Sequence, residues 1–266
     1  INIGGSSTFA HGNGTVTFTI GDTTRIRTNT KPLYNVIVNN ANASIEYVGD
    51  QTIDNDLTVT AGKFRYNSFE DLTVTGDVSV TGILGHPNVG TTSDSTFGSL
   101  TINSGGEYKA PSGTTTITAE TASHAWYNTG GTFTHNNGKV KIFDATGTVM
   151  GSTSVRENTF YDLEISLHVA TYTCSLYDVS GNAVTILNNL DLTKGEVEFS
   201  TASDTITIHG LTNITADAKF CDNAGHDTNK IIHNGLVTNL GTYNINDGTT
   251  VKLNGGIRQL GTLTVK

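Results

Sequence analysis

The chain has 266 residues, with 15 Lys and Arg against 24 Asp and Glu and a formal net charge of −9. Phosphate-backbone binding needs clustered basic side chains, so nucleic acid is not an expected partner; no apolar run approaches the roughly 20 residues of a membrane span, so insertion is not expected either. Only 15% of residues are charged, against about 25% in ordinary soluble domains, and Thr, Asn, Ser and Gly fill the polar positions, a composition of many short strands and tight turns. The chain opens on Ile1-Asn2-Ile3 without a visible signal peptide, which suggests a processed form or a segment of something longer.

Taken in order, the first strand-like run is Thr8-Phe9-Ala10-His11-Gly12-Asn13-Gly14-Thr15-Val16-Thr17-Phe18, followed by Leu33-Tyr34-Asn35-Val36-Ile37-Val38. Three short alternating strands follow, beginning at Asp56, Asp71 and Ser99 and each punctuated by Gly. Alternation places Leu, Val and Ile on one face and Thr on the other, and the Gly is expected to supply a turn, with positive φ where the turn needs it. His124-Ala125-Trp126-Tyr127-Asn128 holds the single Trp. Thr132-Phe133-Thr134-His135-Asn136-Asn137-Gly138-Lys139-Val140-Lys141-Ile142 then repeats the opening run, and Phe160-Tyr161-Asp162-Leu163-Glu164-Ile165 repeats the second. Further alternating strands start at Asn189, Asp204 and Gly261. Helical spacing is nearly absent throughout.

The match between halves is colinear. Thr52-Ile53, Leu57, Thr60, Gly62 and Tyr66 correspond to Thr185-Ile186, Leu190, Thr193, Gly195 and Phe199, and Tyr108 with Gly113-Thr114-Thr115 corresponds to Tyr243 with Gly248-Thr249-Thr250. The offset drifts from 124 to 135 residues, as it does when turns take insertions and strands hold their places. Two tandem copies, 1–130 and 131–266, are therefore expected. Such repeats bury their apolar faces only against neighbours. The expected fold is all-β, a β-solenoid of short Gly-punctuated strands; the alternative is two β-sandwich domains.

The pattern in Thr8 to Phe18, Leu33 to Val38 and Leu57 to Gly62, carried again by Thr132 to Ile142, Phe160 to Ile165 and Leu190 to Gly195, resembles repeats in bacteriophage virion proteins and bacterial secreted surface proteins. What the resemblance implies is a fibre, spike, decoration or adhesin module on a virion surface or outside a cell. Its partners would be other virion or surface proteins, copies of itself and a host-surface glycan. The second copy departs at Lys139-Val140-Lys141 and Asp162-Leu163-Glu164, where charge replaces Thr or Asn at positions expected to face solvent.

Motifs for chemistry are sparse. Glu196 and Glu198 lie two apart on one strand and so face the same way, and Glu70-Asp71 is a second acid pair; a glycan-cleaving site would need two such carboxylates, but an outward amphipathic strand explains them as well. Cys221, Asp222, His226, Asp227 and His233, with His209 upstream, are metal-competent but match no structural zinc spacing. Asp54 and Asp56 resemble a calcium half-site only loosely. His11 and His135 occupy equivalent places, which suits a turn role. Thr58-Val59-Thr60, Thr73-Val74-Thr75, Thr116-Ile117-Thr118 and Thr205-Ile206-Thr207 offer a threonine face, whose uneven spacing argues against a regular array. Cys174 and Cys221 suit two buried free thiols; a bridge would need Cα atoms within about 7 Å. No nucleophile elbow or phosphate-binding loop is present. Trp126 and Tyr127 are candidates either for stacking on a sugar or for packing as a plug between repeats. The resulting expectation is a non-enzymatic structural protein without catalytic residue, metal or cofactor, with a glycan-binding or glycan-degrading tailspike, or a bacterial adhesin, as alternatives.

Overall fold

A computed structural model describes residues 1–4, 8–66, 69–85, 92–118, 124–144, 152–177, 183–199, 205–222, 230–245 and 249–265. The described residues form 28 strands and no helix. Strands pair in parallel, each with its equivalent one coil further along: Val16 lies beside Val36, Val36 beside Leu57, Leu57 beside Val78 and Val78 beside Leu100. This is a β-solenoid. Parallel partners cannot be joined by a tight hairpin, which removes the β-sandwich alternative.

The chain divides into two compact units, Ile1–Ile117 with Asn128–Gly138, and Thr118–Tyr127 with Lys139–Lys266. The division differs from a single cut at 130 for a local reason. Thr132–Thr134 pairs with Glu107–Lys109, which sets Phe133 on Tyr108, whereas Trp126 and Tyr127 pair with Val155 and Arg156.

In the first unit, three stacks of strands wall each coil. One carries Val36 and Val38, Leu57 and Val59, Val78 and Val80 inward; a second carries Ile45, Phe64, Leu84 and Tyr108; a third carries Ile53, Val74, Phe97 and Ile117. All are buried. The intervening Thr and Asn face outward, as alternation requires. The second unit repeats the plan with Leu163, Leu190 and Thr212; with Cys174, Val197, Phe220 and Tyr243; and with Phe160, Ile186, Ile208 and His233.

The duplication is preserved in the pairing itself. Val16 lies beside Val36 as Val140 lies beside Leu163; Leu33 bridges Ile53 as Phe160 pairs with Ile186. Both copies break register after the same residue, Val38 and Ile165. Gly62 and Gly195 sit there at φ 79° and 98°, inside the continuous strands Leu57–Tyr66 and Leu190–Phe199. At these two positions glycine serves the conformation that was expected of it. At Gly235 and Gly255 its reason is different. A Cβ on Gly235 would lie 2.0 Å from the carbonyl oxygen of Gly210, and one on Gly255 would lie 2.4 Å from that of Gly235. The glycine column exists because successive coils touch backbone to backbone at that corner.

Candidate functional site

Chemistry-bearing side chains on the second unit gather on one outward face. Ser175, Glu198, Cys221 and Asn244 stack in register on successive coils, with Glu196 beside Lys219. The two acids singled out by their spacing thus do share a face. Glu196 accepts a hydrogen bond from Lys219 Nζ at 2.8 Å, and Glu198 accepts one from Ser175 Oγ at 2.9 Å. Asn244 Nδ2 donates to Cys221 Sγ at 3.6 Å. Burial, reinforced by the negative charge of Glu196, pushes the Cys221 thiol up to about 12. The thiol is therefore protonated at neutral pH and a poor nucleophile. The acid pair is committed to neighbours on its own face.

A second charged cluster lies around Glu164, which accepts from Lys139 and Lys141, both at 2.9 Å, while Lys139 also lies 3.8 Å from Asp191. Burial alone would raise Glu164, but hydrogen bonds from Lys141 and Lys139, with their charges, win and hold its carboxyl below the usual range. Burial likewise pulls Lys139 down, and the hydrogen bond and charge of Glu164, aided by Asp191 and Asp162, raise it overall. The charges that set the second copy apart in sequence neutralise one another across adjacent strands.

Trp126 is fully buried. Its Nε1 donates to Glu157 Oε2 at 3.3 Å and its ring meets Phe160 edge-on, so it presents no face to a sugar. Tyr127 is half-buried, stacked on His124 at 4.5 Å with Arg156 5.5 Å from its ring centre and donating to its hydroxyl. Trp126 is thus a core anchor rather than a stacking surface, and the Tyr127 ring is engaged by His124 and Arg156.

The remaining candidates disperse. His233 is fully buried between Thr212 Oγ1 and Tyr243 OH, each at 2.9 Å, far in character from the outward Cys221; His226 and Asp227 lie outside the described residues. Among the described residues no group of three metal-competent side chains could hold an ion. Asp54 pairs with His11 Nε2 at 3.0 Å, while Asp56 accepts the Asp77 N–H at 2.9 Å, so the two acids serve different partners. His11 and His135 do the same work in each copy: Nδ1 accepts the N–H of Asn13 or Asn137, at 3.1 and 3.0 Å, and Asn13 and Asn137 take φ 56° and 59°. Both cysteines are free and buried. Glu70 accepts the N–H of Gly49 at 2.7 Å.

One feature was argued against by its spacing in the sequence, and another went unseen. Thr52, Thr73, Thr96 and Thr116 lie in register on successive coils; the corners absorb the uneven spacing that argued against an array. Asp50, Asp71 and Asp94 form a corner ladder in which each carboxylate accepts the next coil's N–H, at 3.0, 2.8 and finally 2.6 Å to Thr114. The signal was an acid just before each strand, though its meaning depends on the stacking. Two shallow hollows, about 340 Å³ beside Asn2, Arg25 and Arg27 and about 240 Å³ beside Asn29, Thr30 and Asp50, are lined by none of the paired acids. Comparison with protein-family models, curated proteins and solved structures returns no match.

Proposed function

We propose that the chain is a non-enzymatic structural module of a virion or cell surface, working outside the cell among other surface proteins and copies of itself. One observation carries the reading: side chains able to do chemistry are committed to holding coils together. Glu196 and Glu164 are tied to lysines on neighbouring strands, Cys174 and His233 are enclosed, and the Asp ladder holds backbone N–H groups. General acid–base catalysis needs a group free to exchange protons with substrate, and these are not. The resemblance of the repeat pattern to those of phage virion and secreted surface proteins supports the location.

Two measurements test this. Antibody raised to the chain should label intact particles or cells without lysis; labelling only after lysis would contradict the location. Incubation with bacterial envelope polysaccharides should leave chain length unchanged. Shortened products that vanish with Glu196→Gln or Glu198→Gln would establish a glycan-cleaving enzyme instead.

A further inference from the structure

The duplication supplies an internal control for the core. One ring pair recurs in both copies: Phe97 meets Tyr108 edge-on at 5.8 Å, and His233 meets Tyr243 edge-on at 5.8 Å. The ladders make these places equivalent. Ile53, Val74, Phe97 and Ile117 stack in the first copy as Ile186, Ile208, His233 and Leu253 stack in the second. Thr212 likewise takes the place of Val78, because Leu57, Val78 and Leu100 stack as Leu190, Thr212 and Val237 do. Where the first copy has two apolar side chains, the second therefore has a polar pair, and its members bond each other: Thr212 Oγ1 lies 2.9 Å from His233 Nδ1. Tyr243 OH lies 2.9 Å from Nε2 of the same ring, whereas its counterpart Tyr108 bonds Thr115. Phenylalanine satisfies the fold at this position, so packing does not demand a histidine.

The imidazole is fully buried, and so are Thr212, Phe220 and Tyr243 around it. Ile208 and Leu253 flank it from the adjoining coils. Among these described neighbours Tyr243 is the one other titratable group, and a phenol does not charge in acid. Lys230 and Lys252 beside it, with His209, Lys219 and Cys221 on the neighbouring strands and corner, alternate outward. A proton on His233 would sit among two hydroxyls and apolar groups with no counter-charge, which is unfavourable unless water reaches the ring. Local opening of the surrounding coils admits that water. We propose that His233 is an acid trigger: uptake of a proton opens the core of the second unit and leaves the first unit closed. The direction agrees with its titration, since burial pulls the imidazole down to about 4. The proposal is independent of where the protein works.

Hydrogen exchange of the full chain, read by mass spectrometry at pH 7 and pH 4.5 and corrected for intrinsic exchange rates, tests this. With His233 titrating near 6.5 when exposed and near 4 when enclosed, the opening equilibrium should rise about 50- to 100-fold across Thr205–Ile208, Lys230–His233 and Thr242–Ile245. The equivalent strands Leu72–Val80, Ser95–Ile102 and Glu107–Lys109 should change by less than about fivefold. Acid also acts on half-buried His135 in the first unit and on Glu164 in the second, so a substitution isolates His233. Thr212→Val, His233→Phe and Val251→Thr together install the first copy's Val78, Phe97 and Thr115, the last offering Tyr243 a hydroxyl in place of the imidazole. This variant should lose the difference between the units. Equal acceleration in both units of the wild type, or none in either, would overturn the proposal, and that comparison stands even where the variant does not fold. So would a second unit that still opens preferentially in the folded variant.

Discussion

His233 occupies a core position that Ile208 fills one coil earlier, and its two hydrogen bonds explain how an imidazole is tolerated there. Thr212 and Tyr243 saturate both ring nitrogens, and burial lowers the pKa from 6.5 to about 4. The folded chain therefore keeps His233 neutral at a pH where the unfolded chain binds a proton. Stability is unaffected above about pH 6.5 and falls as pH drops towards 4, by about 3 kcal/mol if nothing else titrates. Denaturant titrations at pH 7 and pH 4.5 on wild type and His233→Leu should show the variant less stable at pH 7, by about 2 kcal/mol for the stranded Thr212 and Tyr243 hydroxyls, yet with a shallower fall towards acid. Equal pH slopes would contradict the assignment. Cys174 gives a second test at this scale: burial, with the charge of Glu198 adding to it, pushes its thiol up to about 12. Neither Cys174 nor Cys221 should react with an aromatic disulfide reagent at pH 8 until the protein is denatured, after which two thiols should titrate. The bury-both reading of the cysteines was legible from their strand contexts; the Thr212–His233–Tyr243 triplet was not, because its members come from three strands.

At the scale of the strand and its corner, alternation was enough to place the strands, since a period of two fixes which side chains turn inward. What alternation hides is the reason for the glycines. Gly235 and Gly256 look equivalent as turn residues, but a Cβ on Gly235 meets the coil beneath at 2.0 Å, whereas one on Gly256, at φ 82°, meets nothing within 4 Å. Gly235→Ala should therefore cost at least about 3 kcal/mol, and Gly256→Ala only about 1 kcal/mol of left-handed strain, measured by urea unfolding. Comparable losses would remove the backbone-contact explanation. The Asp ladder makes a complementary prediction. Asp71→Asn keeps the acceptor for the Asp94 N–H and removes a negative charge between Asp50 and Asp94, so stability at low salt should hold or rise by up to about 1 kcal/mol. Asp71→Ala, which removes the acceptor, should lose about 1 kcal/mol or more.

Across the whole chain, the duplication was the most informative feature of the sequence, because an insertion in a corner shifts numbering without moving register. It matched Leu33 with Phe160 and Val36 with Leu163 before any pairing was known, and the ladders run through those residues. It was silent on chemistry: in sequence Trp126 suited either a stacking ring or a packing plug, and its burial beside Phe160 and its pairing with Val155 place it in the core. The account rests on coils lying in parallel register, and nitroxide labels report this directly. With Thr73→Cys and Thr96→Cys labelled together, the two outward positions should lie one strand spacing apart, about 4.8 Å between backbones, and the continuous-wave spectrum should show strong spin–spin broadening. A spectrum equal to the sum of the two single labels would contradict the stacked-coil fold.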